Sequence, residues 1–170
     1  MEPGSRDALD VGVLVLRVLV GVTFSLHGFQ KLFGWFGGGG PIGTARWFAS
    51  LGFGDGRVAA RAAGTGEVAG GLGLAVGLLT PLAALAMIGT MTTAALVNNA
   101  EHGFWSVNKG WELNGYLIAV AAAVAITGPG RISLDAALGL LGWSGIVSGV
   151  GVLILGMTAG WLRWATRDRG

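Results

Sequence analysis

The chain has 170 residues, of which 52% are hydrophobic and only 12% are charged, with a formal net charge of +2. A soluble domain carries about 25% charged residues, so this composition excludes an ordinary solvated surface. Glycine occupies 33 positions without a Gly-X-Y period, and cysteine is absent. These counts exclude collagen, disulfides, iron–sulfur ligation and thiol chemistry. The basic residues form no dense tract, so nucleic acid is not a predicted partner. The composition predicts one small membrane domain in contact with the lipid bilayer.

The apolar segments predict the elements in chain order. Stretches long enough to cross the hydrocarbon core, which takes about 20 residues, cover residues 9–27, 58–79, 80–97, 111–126 and 146–162. Four glycines at positions 37–40 follow the first span and predict a flexible loop. A short interfacial helix is predicted next over residues 44–51, because its Trp47 and Phe48 suit the headgroup level.

The fold class that follows is all-α and integral to the membrane. We expect a four-helix transmembrane bundle over residues 1–135. Residues 136–170 add a fifth, C-terminal apolar helix with a basic tail, which either crosses the membrane or lies in the interface.

Lysine and arginine are unevenly distributed between the two sides that five crossings define. One side holds only Arg6 and Arg131. The other side holds eight basic residues: Lys31, Arg46, Arg57, Arg61, Lys109, Arg163, Arg167 and Arg169. The positive-inside rule therefore predicts that both long loops are cytoplasmic and that the amino terminus lies outside.

Arg17 and Glu67 each lie near the middle of a predicted span. A charge at this depth costs about 2.5–3.5 kcal/mol even on lenient insertion scales, so partners are expected. Antiparallel first and second spans would bring the two residues to similar depth, and small residues surround Glu67 on its helix face. We therefore predict a buried Arg17–Glu67 ion pair, which serves either as a structural device that fixes helix register or as a proton or quinone site.

A second polar group is predicted at one membrane boundary, where His27, Lys31, Glu101, His102 and Glu112 gather. A quinone head needs hydrogen-bond donors and an aromatic wall. The candidate donors are His27, Lys31 and Tyr116, and the candidate wall residues are Phe24, Trp105 and Trp111. The alternative is that these residues only anchor the protein at the headgroups.

Haem and metal ligation are not predicted. The two histidines could ligate a haem, or join Glu101 and Glu112 around a metal, but their spacing is unspecific and His102 falls in a predicted loop. No intrinsic cofactor is predicted, and quinone is the one ligand left open.

Several segments of residues 13–135 resemble the DoxX family of small bacterial membrane proteins. They are residues 16–21 (LRVLVG), 27–34 (HGFQKLFG), 67–71 (EVAGG), 77–83 (GLLTPLA), the asparagine-rich loop with Gly103 and Phe104, 110–113 (GWEL) and 128–135 (GPGRISLD). The resemblance implies a four-helix core in the bacterial plasma membrane. The apolar extension past Asp135 departs from that pattern.

The resemblance also implies a redox context. Some members are similar to a subunit of a thiosulfate:quinone oxidoreductase, and others are associated with complexes that contain superoxide dismutase and a sulfurtransferase. The leading hypothesis is an accessory membrane subunit in redox metabolism that holds a quinone and partners soluble redox proteins. The alternatives are a quinone-reducing oxidoreductase subunit and a small proton-coupled transporter. Whether the chain is an enzyme, and whether it forms a homo-oligomer, stays open.

Overall fold

The computed structural model describes residues 3–168, which fold into helices joined by short turns, without a strand in that range. Arg169 of the predicted basic tail lies outside the described residues. The helices are α1 (Pro3–Phe33), α2 (Gly40–Ser50), α3 (Gly56–Val76), α4 (Thr80–Ala94), α5 (Glu112–Thr127), α6 (Leu134–Ala137) and α7 (Ile146–Ala165). A π-helical turn over Ala95–Asn99 continues α4. This architecture confirms the predicted all-α membrane bundle.

Three of the described helical segments are long and apolar enough to cross a membrane: Gly4–Phe33, Thr80–His102 and Ile146–Ala165. Helix α5 is a shorter apolar helix. Helix α3 has 21 residues, but Arg57, Arg61 and Glu67 lower its hydropathy. The last helix was expected either to cross or to lie in the interface, and its length and composition favour crossing. The boundary drawn at residue 135 falls inside α6 and stays a prediction.

Helices α1 and α3 make the most extensive helix–helix contact of the bundle. A Cβ added to Gly21 would lie 2.4 Å from the Gly71 carbonyl oxygen, and one added to Gly28 would lie 2.7 Å from the Gly64 carbonyl oxygen. Backbones approach this closely in membranes only where both surfaces carry small residues. The two contacts define an antiparallel pairing in which Gly21 is level with Gly71 and Gly28 with Gly64.

Helix α7 packs along α4 and α5 rather than apart from the bundle. Gly156 lies against Ile88, and Gly160 lies against the Gly89 carbonyl oxygen, so α7 runs parallel to α4. Gly149 lies against Ile126 of the antiparallel α5. The C-terminal helix is therefore an integral wall of the bundle.

Arg17 and Asp135 both lie at the turn between α3 and α4, and both are almost fully buried. Arg17 donates to the carbonyl oxygens of Ala75, at 2.8 Å, and of Ile132. The Asp135 carboxylate accepts from the backbone N–H of Leu79 at 2.7 Å and from the N–H and hydroxyl of Thr80 at 2.9 and 2.7 Å. Asp135 thus satisfies the first N–H groups of α4, which a helix cannot satisfy itself.

The bundle has two distinct ends. One end, which we call the loop end, contains α2, residues 95–111 and the C-terminal ends of α1 and α7. There the Asp168 N–H donates to the Gly52 carbonyl oxygen at 2.8 Å. At the opposite end, Arg131 pairs with Asp10 and with Asp7, the latter at 2.5 Å. The basic residues of the predicted cytoplasmic loops therefore share the loop end.

The membrane orientation predicted from these charges can be tested with single cysteines, since the chain has none of its own. In intact cells, Ala137→Cys should react with a membrane-impermeant maleimide, whereas Ala100→Cys should react only after the membrane is permeabilised. Both positions are exposed, and they lie at opposite ends of the bundle. The reverse labelling pattern would show that the loop end faces outward.

The α1–α3 contact predicts a sharp difference between two glycines of α3. In Gly71→Ala, the new Cβ would lie 2.3 Å from the Ser25 hydroxyl oxygen and 2.5 Å from the Gly21 carbonyl oxygen. Overpacking of this kind costs about 1–3 kcal/mol, so the melting temperature in detergent should fall. The control Gly66→Ala meets no atom within 4 Å and should leave the melting temperature unchanged or raise it. Equal losses would contradict this packing.

Candidate functional site

A cavity of about 710 Å³ occupies the half of the bundle nearest the loop end. Its wall comes from α1, α3, α4, α5 and α7, and α2 with residues 51–53 covers the loop end. This volume falls within the roughly 300–1,000 Å³ of small-molecule sites, which are mostly apolar with a few placed polar groups. We take this cavity as the candidate functional site.

Small residues on facing helices leave the space open. Ala59, Ala63 and Gly66 of α3 lie on one wall, and Ala86 and Gly89 of α4 lie opposite. Larger side chains at these positions would fill the gap between the helices, as they do in an ordinary core. The alanine and glycine residues of α3 and α4 therefore create the cavity.

Lys31 and Glu67 form an ion pair on the cavity wall. The Lys31 ammonium donates to Glu67 Oε2 at 2.6 Å and to Oε1 at 2.8 Å. The Glu67 side chain is 3% exposed and that of Lys31 is 21% exposed. A buried carboxylate requires such a partner, because an unpaired charge at this depth is strongly disfavoured.

The predicted partner of Glu67 was Arg17, and the structure corrects that pairing. Arg17 is packed against Gly77, with its Nη1 2.6 Å from where a Cβ of that glycine would lie. Gly77 is ten residues past Glu67, which corresponds to roughly 15 Å along a helix. The α1–α3 contact therefore places Arg17 at the C-terminal end of α3, away from Glu67. It brings Lys31, one turn beyond His27, to Glu67.

Other polar groups complete the wall. His27 lines the cavity, and its Nδ1 lies 3.1 Å from Gln30 Oε1. Asn114 contacts the Met91 sulfur at 3.7 Å, which is a weak hydrogen bond. Asn98, in the π-helical turn after α4, and Arg163, in the last turn of α7, also line the cavity. Turns of this π-helical type occur often at functional sites.

The residues predicted for a quinone site divide into two groups. Phe24, His27 and Lys31 line the cavity, with Phe24 fully buried. The residues that do not line it are Glu101, His102, Trp105, Trp111, Glu112 and Tyr116.

The second group lies in a loop at the membrane boundary, residues 100–111, which we call the boundary loop, and in the first turns of α5. Glu112 accepts from the backbone N–H of Ser106 at 2.8 Å and from its hydroxyl at 2.7 Å. The ring of Trp111 packs at 4.9 Å on that of Phe104. His102 Nε2 lies 3.5 Å from Glu101 Oε1, and Tyr116 is 59% exposed. Glu112 and Trp111 thus have their partners within the boundary loop, away from the cavity lining.

Sequence reasoning did not place several wall residues at the site. Trp47, Phe48 and Phe53 provide aromatic faces, and Asn98, Asn114 and Arg163 provide polar groups. The detectable signal was an amide side chain within an apolar helix, which is costly unless it faces a partner or a cavity. The aromatic residues of α2 gave no such signal, because headgroup anchoring explains them equally well.

Residues 3–168 contain no group of three or more histidine, aspartate or glutamate side chains placed to hold a metal ion. The two histidines are also separated, since His27 lines the cavity and His102 lies in the boundary loop. The arrangement is instead suited to an apolar molecule with one polar head, which would contact the charged wall.

The corrected pairing predicts which charges are energetically coupled. Lys31→Met leaves Glu67 buried without a partner, and breaking a buried pair costs about 3–5 kcal/mol. The double variant Lys31→Met, Glu67→Gln removes both charges and should recover most of the lost stability. Unfolding in detergent would measure the coupling energy.

Arg17 provides the matched control for this cycle. Arg17→Met and Glu67→Gln should add independently, because the two residues share no contact. Coupling of Glu67 to Arg17, with none to Lys31, would contradict the structure.

Comparison with known proteins places the chain in a family. The sequence model named DoxX matches residues 12–100. Inner membrane protein YphA of Escherichia coli (strain K12) is 32% identical over 138 residues, which cover 75% of this chain and 91% of that protein. "Putative oxidoreductase CatD" of Bacillus subtilis (strain 168) is 29% identical over 138 residues, covering 76% of this chain and 89% of that protein. No solved structure matches significantly. The chain therefore belongs to the DoxX family of bacterial membrane proteins.

Proposed function

We propose that this protein is an accessory membrane subunit in redox metabolism, and that its cavity holds the ring of a lipid-soluble quinone. The observation that carries the proposal is the Lys31–Glu67 pair on the wall of an otherwise apolar cavity. The name of one relative, an oxidoreductase, favours a redox context.

The polar wall offers what a quinone carbonyl oxygen needs. An ammonium has three N–H donors, and two of those of Lys31 are directed at Glu67. The third is free to donate to a carbonyl oxygen in the cavity. His27 lies four residues earlier on α1, on the same wall, and offers a second ring nitrogen.

The apolar part of the cavity wall suits the ring and the isoprenoid tail of a quinone. Phe24, Trp47 and Phe48 border the cavity, and aromatic rings pair favourably at about 4.5–7 Å between centroids. The remaining wall is mainly alanine and leucine, with glycine and threonine, which suits an isoprenoid chain. Burial of that apolar surface would provide most of the binding free energy.

In this proposal, a partner protein supplies the redox centre that exchanges electrons with the quinone. By resemblance, the partner is a soluble redox enzyme of the superoxide dismutase or sulfurtransferase type. The alternative is that this chain is a subunit of a quinone-reducing oxidoreductase. The quinone would bind in the same cavity, but this chain and its partner would together catalyse reduction of the quinone.

The two histidines of the chain give a matched test of quinone binding. After gentle purification from native membrane, lipid mass spectrometry should find quinone with the parent protein and with His102→Ala. His27→Ala should retain about fivefold less, which corresponds to the loss of one hydrogen bond of about 1 kcal/mol.

Two outcomes would count against the proposal. Parent protein without quinone would contradict quinone binding outright. Equal quinone content in His27→Ala and His102→Ala would show that the ligand does not contact the cavity wall at His27. Both variants must show the parent melting temperature for the comparison to apply.

A further inference from the structure

The end of α7 makes a direct contact with the loop between α2 and α3. The Asp168 N–H donates to the Gly52 carbonyl oxygen at 2.8 Å. One and a half turns earlier, the Arg163 guanidinium lies 4.7 Å from the centre of the Phe53 ring. Two independent contacts therefore join these distant segments.

Gly52 is adapted to this contact. Its φ of +82° is a left-handed conformation, and a Cβ added there would lie 1.7 Å from the Asp168 carbonyl oxygen. No side chain fits in that space. Gly54, two residues later, has a similar φ of +63° but no atom within 4 Å of its added Cβ. Backbone conformation alone would explain both glycines, but only Gly52 is held against the end of α7.

Both contacting segments border the cavity at its loop end. Leu51, Phe53 and Arg163 line it, and the Phe53 ring lies 5.4 Å from that of Phe48 on the same side. Phe53 is 5% exposed, whereas Arg163 is exposed. The contact between α7 and the loop therefore lies across the aqueous side of the cavity.

We propose that residues 163–168 form a strap that controls access to the cavity from the loop end. A backbone hydrogen bond and a cation–π contact can open locally while the bundle stays folded. Release of the strap would free Phe53 and the α2–α3 loop, which cover the cavity. The strap would regulate entry to the cavity described above. This inference rests on the proposed function in one respect, that the cavity is the ligand site.

Access can be measured without any ligand. Thr90 lines the cavity, and Thr90→Cys places the only thiol of the chain there. The protein in lipid nanodiscs is treated with sulfonatoethyl methanethiosulfonate, a small water-soluble thiol reagent, and the modification rate is followed by mass spectrometry. Ala100→Cys, on the exposed boundary loop, gives the rate for an open position.

Gly52→Ala in the Thr90→Cys background should speed modification about tenfold, which corresponds to weakening closure by about 1.4 kcal/mol. Gly54→Ala should leave the rate unchanged, because it changes the same loop without touching the strap. A chain that ends at Thr166 removes Asp168 and should react as fast as Gly52→Ala. That truncation keeps the test valid if Gly52→Ala does not fold.

Equal rates for the truncated chain and the parent would overturn the proposal, as would equal rates for folded Gly52→Ala and Gly54→Ala. A Thr90→Cys rate in the parent as high as that of Ala100→Cys would also overturn it, because the cavity would already be open. If the rates separate as expected but no quinone co-purifies, the strap stands and the quinone proposal fails.

Discussion

The close contact between α1 and α3 sets the positions of Arg17 and Glu67, two of the three buried charged residues among residues 3–168. Glycines on both helices bring the backbones together, and this fixes the relative depth of the two helices. Lys31 then reaches Glu67, and Arg17 reaches the turn after α3. Glu67, near the middle of α3, is paired with a side chain, whereas Arg17, at the end of α3, donates to backbone carbonyl oxygens. A cavity remains beside Glu67 because α3 and α4 line it with alanine and glycine.

Hydropathy was sufficient to predict the membrane bundle, the short helix after the first span and the C-terminal helix. It was not sufficient to pair the charges. The prediction placed the middle of each span at the same depth, but α1 runs from Pro3 to Phe33 and extends well beyond the predicted residues 9–27. Depth in a bundle depends on which small residues contact each other, and glycine is so common in this sequence that the contacting positions could not be identified beforehand.

The candidate site was partly predictable for a similar reason. Phe24, His27 and Lys31 share one helix, so their proximity follows from helix geometry. Arg163 and Phe53 come together only through tertiary packing across 110 residues of chain. The family match covers residues 12–100, whereas α5 and α7 contribute part of the cavity wall from outside that range. The site therefore includes residues that lie outside the range matched by the family model.

The position of Asp135 has a consequence for biosynthesis. Its carboxylate satisfies N–H groups at the start of α4, which precede it by 55 and 56 residues in the chain. A chain emerging from the ribosome presents α1, α3 and α4 to the membrane before Asp135 has been made. Until then the start of α4 lacks its acceptor, and Arg17 lacks the Ile132 carbonyl. The hydrogen bonds at the turn between α3 and α4 can therefore be completed only after translation has passed α5.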